Sequence, residues 1–401
     1  MKILIINTYY YPEIVGGAEY SVKKLAEALK RSGNEVVVLC TGDENIRETV
    51  DGVDVIRIRA NVPCRAINLG SASTYQKIIC RIRGIWNRGN SKRIDEVLNV
   101  VKPDVIHTNG LYDLSPVVWK VAKKHNIRVV HTLRDYYLCC PLVSLDCESR
   151  VVKCRFKNNL CPIHRSANID AVEKYVDALT APSIVTLNKV VATMNLQNIP
   201  RQVIPNAIDF DLLEVKRNCE IKQARNSSVL KFVYLGTLSE KKGVLWLLDS
   251  FSKITSKDAE LYIAGKGELE KAVIEYSSKD SRIHFVGFLK EAEMNRFLEK
   301  MDVLVCPSLW EEPFGRVVLD AYKHAMPVIV SDKGALPELV TKYGTGQVVK
   351  SDSKETLIDA ISSCCRDKEK ISQMSRRTLN AIRDFSLDAQ LAQFLSLYKN
   401  N

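Results

Sequence analysis

Two carboxylates, Glu312 and Asp320, stand eight residues apart in the stretch 307–339, PSLWEEPFGRVVLDAYKHAMPVIVSDKGALPEL. Glu312 falls in a turn, and Asp320 falls about two turns into a helix predicted to begin near Phe314 and Gly315, so both acids face roughly the same way. The first amides of such a helix, those of Phe314, Gly315, Arg316 and Val317, have no partner inside it and suit a phosphate. Acids beside an anion site suit a ligand that is phosphate at one end and polyol elsewhere, because carboxylates accept from sugar hydroxyls. A nucleotide-sugar has that chemistry. Lys242 closes a glycine-bounded loop, Gly236-Thr-Leu-Ser-Glu-Lys-Lys-Gly243, and Arg316 is a second cation for a diphosphate. Gly287-Phe288-Leu289 offers backbone and an apolar edge for a base. Gly16-Gly17 precedes another helix and allows backbone to approach a ligand closely.

These residues need strands that end beside helix starts. The run 302–306 (DVLVC) reads as a buried parallel strand, a helix follows with Val317, Val318, Ala321 and Tyr322 on one stripe, and 327–330 (PVIV) is the next strand. The same alternation opens the chain: a strand at 2–7, a helix at 18–31 with Val22, Leu25, Ala26 and Leu29 on its stripe, and a strand at 35–40. It continues with strands at 104–107, 127–132 and 178–181 and helices at 115–125 and 167–176. After a polar run at 216–228, further strand–helix units fill 229–349, and helices close the chain, the last at 387–399. The fold class is α/β, with two Rossmann-like domains. The expected domains are 1–200, 201–385, and a C-terminal helix, 386–401, packing back on the first.

At 401 residues the chain is long enough for two cores, and 46% hydrophobic with 26% charged residues is ordinary for a globular protein. No apolar run approaches the roughly 20 residues that span a bilayer, and the N-terminal strand carries no cleavage site, so the expected location is the cytoplasm. Net charge is +11, and it is uneven. Residues 1–200 carry 28 Lys and Arg against 19 Asp and Glu, or +9; residues 201–401 carry 30 against 28, or +2. A basic first half suggests an anionic partner there. The segment from Lys77 to Arg93 interleaves cations with Ile78, Ile79, Ile82 and Trp86, as a surface-seeking segment does, or as a half-buried helix with a solvated basic face does. Cys139, Cys140, Cys147, Cys154 and Cys161, with His164 behind them, read either as a structural zinc site or as free thiols. Asp209-Phe-Asp211 reads as a helix start, so no metal is assigned to it.

The 307–339 stretch resembles the Glu-x7-Glu signature of the retaining family 4 glycosyltransferases, with Asp320 replacing the second Glu. Gly-Gly-Ala-Glu19 resembles the family's Gly-Gly-x-Glu loop, and Pro-Asn-Ala-Ile-Asp209 its Pro-Asn-Gly-Val-Asp hinge. The 236–243 loop resembles its phosphate loop, with Lys242 matching and Thr237 at the Arg position. His131-Thr-Leu-Arg-Asp135 departs from it: many relatives have Thr-Leu-His-Asp, and this chain has Arg134 in place of that His. Arg cannot serve as a general base but can hold a phosphate or carboxylate, unless it simply pairs with Asp135.

The resemblance spans nearly the whole chain and is strongest over 230–340. It implies a GT-B architecture with the domains facing a central cleft. The implied activity moves a sugar, with retention and without a required metal cofactor, from a nucleotide diphosphate-sugar to an acceptor hydroxyl. The acceptor would be a glycan or a polyprenyl-diphosphate-linked glycan of bacterial surface polysaccharide assembly, met on the inner face of the plasma membrane at an anionic surface. Catalytic roles fall to Glu312, Arg134 and Lys242. Donor binding falls to Gly16, Gly17, Lys242, Phe288, Glu312, Phe314, Gly315, Arg316, Val317 and Asp320. Two alternatives stay open: a sugar-nucleotide epimerase of the same fold, and a non-catalytic binder of nucleic acid or other anions. On the transferase reading no nucleic acid is a partner.

Overall fold

A computed structural model of the chain describes residues 1–141, 143, 160–225 and 228–399. Its strands are β1 (Lys2–Ile6), β2 (Glu35–Thr41), β3 (Ile46–Val50), β4 (Val53–Ile58), β5 (Val105–Thr108), β6 (Arg128–Thr132), β7 (Ala178–Ala181) and β8 (Arg201–Val203) in one sheet. A second sheet holds β9 (Leu230–Leu235), β10 (Ala259–Ala264), β11 (Ile283–Gly287), β12 (Val303–Cys306), β13 (Val328–Ser331) and β14 (Gly346–Val349). The chain divides into two compact units. The first comprises the described residues up to Ala207 together with Leu387–Lys399, and the second is Ile208–Ser386. The crossing lies a few residues past the expected break at 200, because β8 pairs with β7 and extends the first sheet.

The first sheet runs β3-β4-β2-β1-β5-β6-β7-β8, parallel throughout except for the antiparallel hairpin of β3 and β4. Parallel strands are covered on both faces, which is why Ile3, Leu4, Ile5 and Ile6 are all fully buried. The helix Gly17–Arg31 lays Val22, Leu25, Ala26 and Leu29 on this sheet, as its periodicity predicts. The terminal helix Leu387–Lys399 adds Phe394, Leu397 and Tyr398 to the same core, and the Tyr398 hydroxyl lies 2.6 Å from His107 Nδ1.

The second sheet runs β11-β10-β9-β12-β13-β14, all parallel. One of its cores gathers Phe232, Leu247, Leu248, Phe251 and Ile361; the other gathers Val318, Leu319, Tyr322, Leu336 and Phe385. Asp209-Phe-Asp211, read as a helix start, leads into the helix Leu212–Ala224, which takes up much of the polar run 216–228. Asp211 caps it by accepting from the Leu213 amide at 2.9 Å, and Val215 and Cys219, four apart, bury one narrow stripe.

One glycine fixes how closely two loops of this unit meet. Gly243 ends the turn after β9 with φ +73, and a Cβ there would lie 1.8 Å from the Pro307 carbonyl oxygen at the end of β12. Gly243→Ala therefore adds both left-handed strain and a backbone clash. It should destabilise the second unit by about 2 kcal/mol or more, read as an earlier melting or urea transition by circular dichroism.

Candidate active site

In the second sheet β9 and β12 are neighbours, yet the chain leaves β9 toward β10 and leaves β12 toward β13. Strand order reverses there, and loops diverging at such a point open a crevice at the carboxyl ends of the strands. Lys242 stands on the loop after β9 and Glu312 on the loop after β12. Lys242 Nζ donates to Glu312 Oε1 at 2.6 Å, and Ser308 Oγ donates to the same oxygen at 2.9 Å. Glu312 is almost wholly buried, while Lys242 keeps about a quarter of its side-chain surface exposed. The Leu309 amide donates to the Lys241 carbonyl at 2.9 Å and ties the loops together again. Lys241 and Lys242 both lie over the Trp310 ring, their Nζ atoms 5.3 and 5.2 Å from its centre. Burial holds the Lys241 ammonium below its ordinary pKa, and the Lys242 charge adds to that.

The helix carrying Asp320 begins at Val317, not at Phe314 and Gly315 as expected. Gly315 takes φ +88 and breaks the helical path before it starts. The amides of Phe314, Gly315 and Arg316 thus belong to the turn leading into a seven-residue helix, Val317–Lys323. The Phe314 side chain is buried against Phe385, with ring centres 6.0 Å apart, so only its backbone can face a ligand. Asp320 and Glu312 have separate partners. Arg316 Nη2 approaches Asp320 Oδ1 at 3.9 Å; burial raises the Asp320 carboxyl, and Arg316 opposes that. Phe288 is exposed and lies under Lys266, whose Nζ is 4.8 Å from the ring centre. Glu311, the other carboxylate of the turn, to which the sequence assigned no role, accepts the Gly334 amide at 2.9 Å and so holds the next loop against this one.

The first unit has its own reversal, between β1 and β5. Gly17 begins the helix after β1, but the Gly16 amide already donates to Glu19 Oε2 at 2.8 Å. Gly16 is thus part of a helix cap and not an open donor. Burial raises the Glu19 carboxyl, while the Gly16 amide pulls it down. Arg134, at the end of β6, is 8% exposed and does not pair with Asp135. Its Nε donates to Asn109 Oδ1 at 2.9 Å and its Nη1 donates to Asn206 Oδ1. Asp135 instead accepts from the Tyr112 hydroxyl and, at 2.7 Å, from the Tyr137 amide. His131 lies within the sheet, its Nδ1 2.9 Å from Thr108 Oγ1, with burial holding it at about 3.

Asp113, which the sequence reading missed, sits in the loop after β5 and is 2% exposed. Both of its oxygens accept the Ala66 amide, at 3.0 and 3.2 Å. Its place just past a strand at the reversal was the available signal.

Of the cysteine segment, Cys147 and Cys154 lie outside the described residues, as do Arg150, Lys153, Arg155 and Lys157. Among the described residues no group of three or more His, Cys, Asp and Glu side chains is arranged to hold a metal. His164 Nε2 is 2.6 Å from the Tyr137 carbonyl oxygen, and burial pushes the Cys139 thiol up to about 12. Both residues are buried.

Burial raises the Asp113 carboxyl from 3.8 to about 6. A raised folded-state pKa gives stability that is full below 3.8 and is lost as pH climbs through about 6. Asp113→Asn removes that slope. Its stability relative to the parent should rise by on the order of 2–3 kcal/mol between pH 4 and pH 7, measured by urea unfolding.

Residues 15–212 match the family described as Glycosyltransferase Family 4, and residues 230–367 match Glycosyl transferases group 1. An uncharacterized 42.6 kDa protein in the cps region of Klebsiella pneumoniae is 30% identical, over 84% of this chain and 87% of its own length. A phosphatidyl-myo-inositol mannosyltransferase of Mycolicibacterium smegmatis is 19% identical over 100% of this chain and 94% of its own. Among solved structures, Anabaena HepE in complex with UDP and glucose superposes with a TM-score of 0.72 at 17% identity, covering 100% of both chains. That likeness gives the fold as GT-B. With one matched region falling on each of the two sheets, the chain belongs to the group 1, family 4 glycosyltransferases.

Proposed function

We propose that this glycosyltransferase moves a sugar, with retention of anomeric configuration, from a nucleotide diphosphate-sugar to a hydroxyl of a lipid-linked glycan. The observation that carries the reading is the Lys242–Glu312 pair, held by Ser308 at the switch point of the second sheet. Glu312 is a buried acceptor for sugar hydroxyls, and Asp320 is a second, suited to ribose. Lys242, Arg316 and the amides from Phe314 to Val317 would meet the charge that grows on the departing diphosphate. Gly287 and Phe288 would flank the base. The acceptor is read as binding the first unit, near Gly17 and Arg134. The bond from the anomeric carbon to the diphosphate oxygen breaks and the bond to the acceptor oxygen forms on the same face. The acceptor proton passes to the diphosphate oxygen, so no further base and no metal ion is called for. The relative in a cps region and the mannosyltransferase of a lipid acceptor support surface polysaccharide or glycolipid assembly as the setting. The UDP bound by HepE supports a nucleotide donor.

A patch on the first unit supports a membrane-bound acceptor. Residues 55–94 contain nine Lys and Arg and no Asp or Glu. The helix Thr74–Ile85 within them exposes Tyr75, Ile78 and Ile82 at a spacing that puts them on one side. Among the described residues no helix is long and apolar enough to cross a membrane, so this face would lie on the lipid surface.

Two experiments test these readings. UDP-, GDP- and ADP-sugars should be screened for thermal stabilisation, followed by product analysis for the anomer formed. Glu312→Gln should keep the parent fold and lose at least about 100-fold in turnover. An inverted product, or nucleoside diphosphate released equally without acceptor, would refute retaining transfer. In sedimentation with vesicles, the protein should bind phosphatidylglycerol–phosphatidylcholine and not pure phosphatidylcholine, and Ile78→Asp with Ile82→Asp should abolish binding. Vesicle binding unchanged by that pair would remove this face from the account.

A further inference from the structure

Arg134 is a buried cation with no acid in contact with it, Glu19 acting on it only at longer range. Among the described residues no carboxylate lies within ion-pair distance of it, and the adjacent acid, Asp135, is turned to Tyr112 and Tyr137. Two of its three nitrogens donate to neutral side-chain amides, Asn109 and Asn206. The third, Nη2, is buried and has no hydrogen-bond partner. Asn109 is 3% exposed, and its own Nδ2 is likewise buried without a partner. Because Asn109 Oδ1 accepts from Arg134 Nε, the orientation of that amide is fixed and Nδ2 must be its free end. Burial lowers the Arg134 pKa only to about 10, so the charge persists at neutral pH. Burial and the Arg134 charge lower the pKa of the nearby His107 and His131, which stay neutral. An unpaired buried charge and an unpaired amide donor both oppose folding, and this unit carries the two side by side.

Asn109, Gly110, His131, Arg134, Asp135 and Tyr137 are among the residues lining one cavity, with room for about one water-sized group, and the Asp135 oxygens there are already engaged by Tyr112 and Tyr137. That space accepts one oxygen of an anion, not the several oxygens of a diphosphate. The second unit already offers Lys241, Lys242, Arg316 and Lys266 for the phosphates. A carboxylate, which is small and flat and directs one oxygen at two donors, suits what is left.

We propose that Arg134 and Asn109 bind the carboxylate of an acidic sugar, carried either by the donor or by the terminal unit of the acceptor. The assignment rests on the transfer reading above for its substrates, but the site itself belongs to the first unit alone.

Calorimetric titration of the full chain tests it with two matched pairs, phenyl glucuronide against phenyl glucoside and UDP-glucuronate against UDP-glucose, and with UDP alone. In one pair the acidic member should bind roughly 10-fold tighter or more, and the pair that does so names the source. Arg134→Gln should erase that preference and leave UDP affinity unchanged. Asn109→Asp should erase it too, by giving Arg134 an internal counter-ion, and should melt no lower than the parent; it decides the matter if Arg134→Gln does not fold. Equal binding within both pairs, a preference surviving in Asn109→Asp, or weaker UDP binding in Arg134→Gln would each overturn the proposal. Absence of binding by UDP, GDP and ADP alike would instead count against the transfer reading, while the phenyl glycoside pair still reports on the carboxylate site.

Discussion

A carboxylate buried at the end of a central strand must find a cation, and in the second unit Glu312 finds Lys242. Much of the local architecture follows from that need. The pair joins the loops after β9 and β12, which the sheet order sends in opposite directions. For the loops to approach, Gly243 must lack a side chain beside Pro307. Behind Glu312, Gly334 must do the same, since a Cβ there would lie 2.1 Å from the Glu312 carbonyl oxygen. Ser308 and Glu311 then spend their hydrogen bonds on keeping the turn in place. The resulting surface is compact, cationic at Lys241 and Lys242, and backed by an acid that is already oriented. Such groups are organised before a ligand arrives, which is the condition for stabilising charge that develops during a reaction.

The first unit solves a related problem differently. Its sheet also ends in polar residues, and most of them are satisfied within the fold. Glu19 caps its own helix start, Asp113 takes the Ala66 amide, and Asp135 takes a hydroxyl and an amide. Tyr398 from the terminal helix reaches His107, and Thr132 holds the other nitrogen of that ring at 2.6 Å. Arg134 and Asn109 are among the buried groups of this unit that keep an unmet donor, and they are adjacent, with Arg134 Nε donating to Asn109 Oδ1. Proteins seldom leave buried donors unmet, and such groups call for an explanation outside the folded chain itself. Elsewhere in this unit the buried cations Arg57 and Arg65 have acids, Glu48 and Glu13, so Arg134 is held differently from its neighbours as well as from Lys242.

Alternating apolar strands and amphipathic helices made the α/β class legible from sequence, because periodicity is a local property that each segment carries alone. Helix stripes such as Val22, Leu25, Ala26 and Leu29, and the terminal helix at 387–399, needed no knowledge of their partners. The residue types at 242, 312 and 320 were legible for the same reason, since their spacing from glycines and strand ends is short. What sequence could not supply was who meets whom. That Lys242 pairs with Glu312 across 70 positions, that Asp320 keeps to Arg316, and that Gly16 spends its amide on Glu19 depend on chain crossings no local pattern records. The onset of the Val317 helix shifted because Gly315 took a left-handed conformation permitted by its neighbours in space. Arg134 is the sharpest case: sequence read it as a grip for an anion and left the adjacent Asp135 open as an alternative partner, and tertiary structure turned that acid elsewhere. Side-chain identity is written along the chain, but solvation and charge pairing are set by burial among distant segments, and those are decided only when the sheets form.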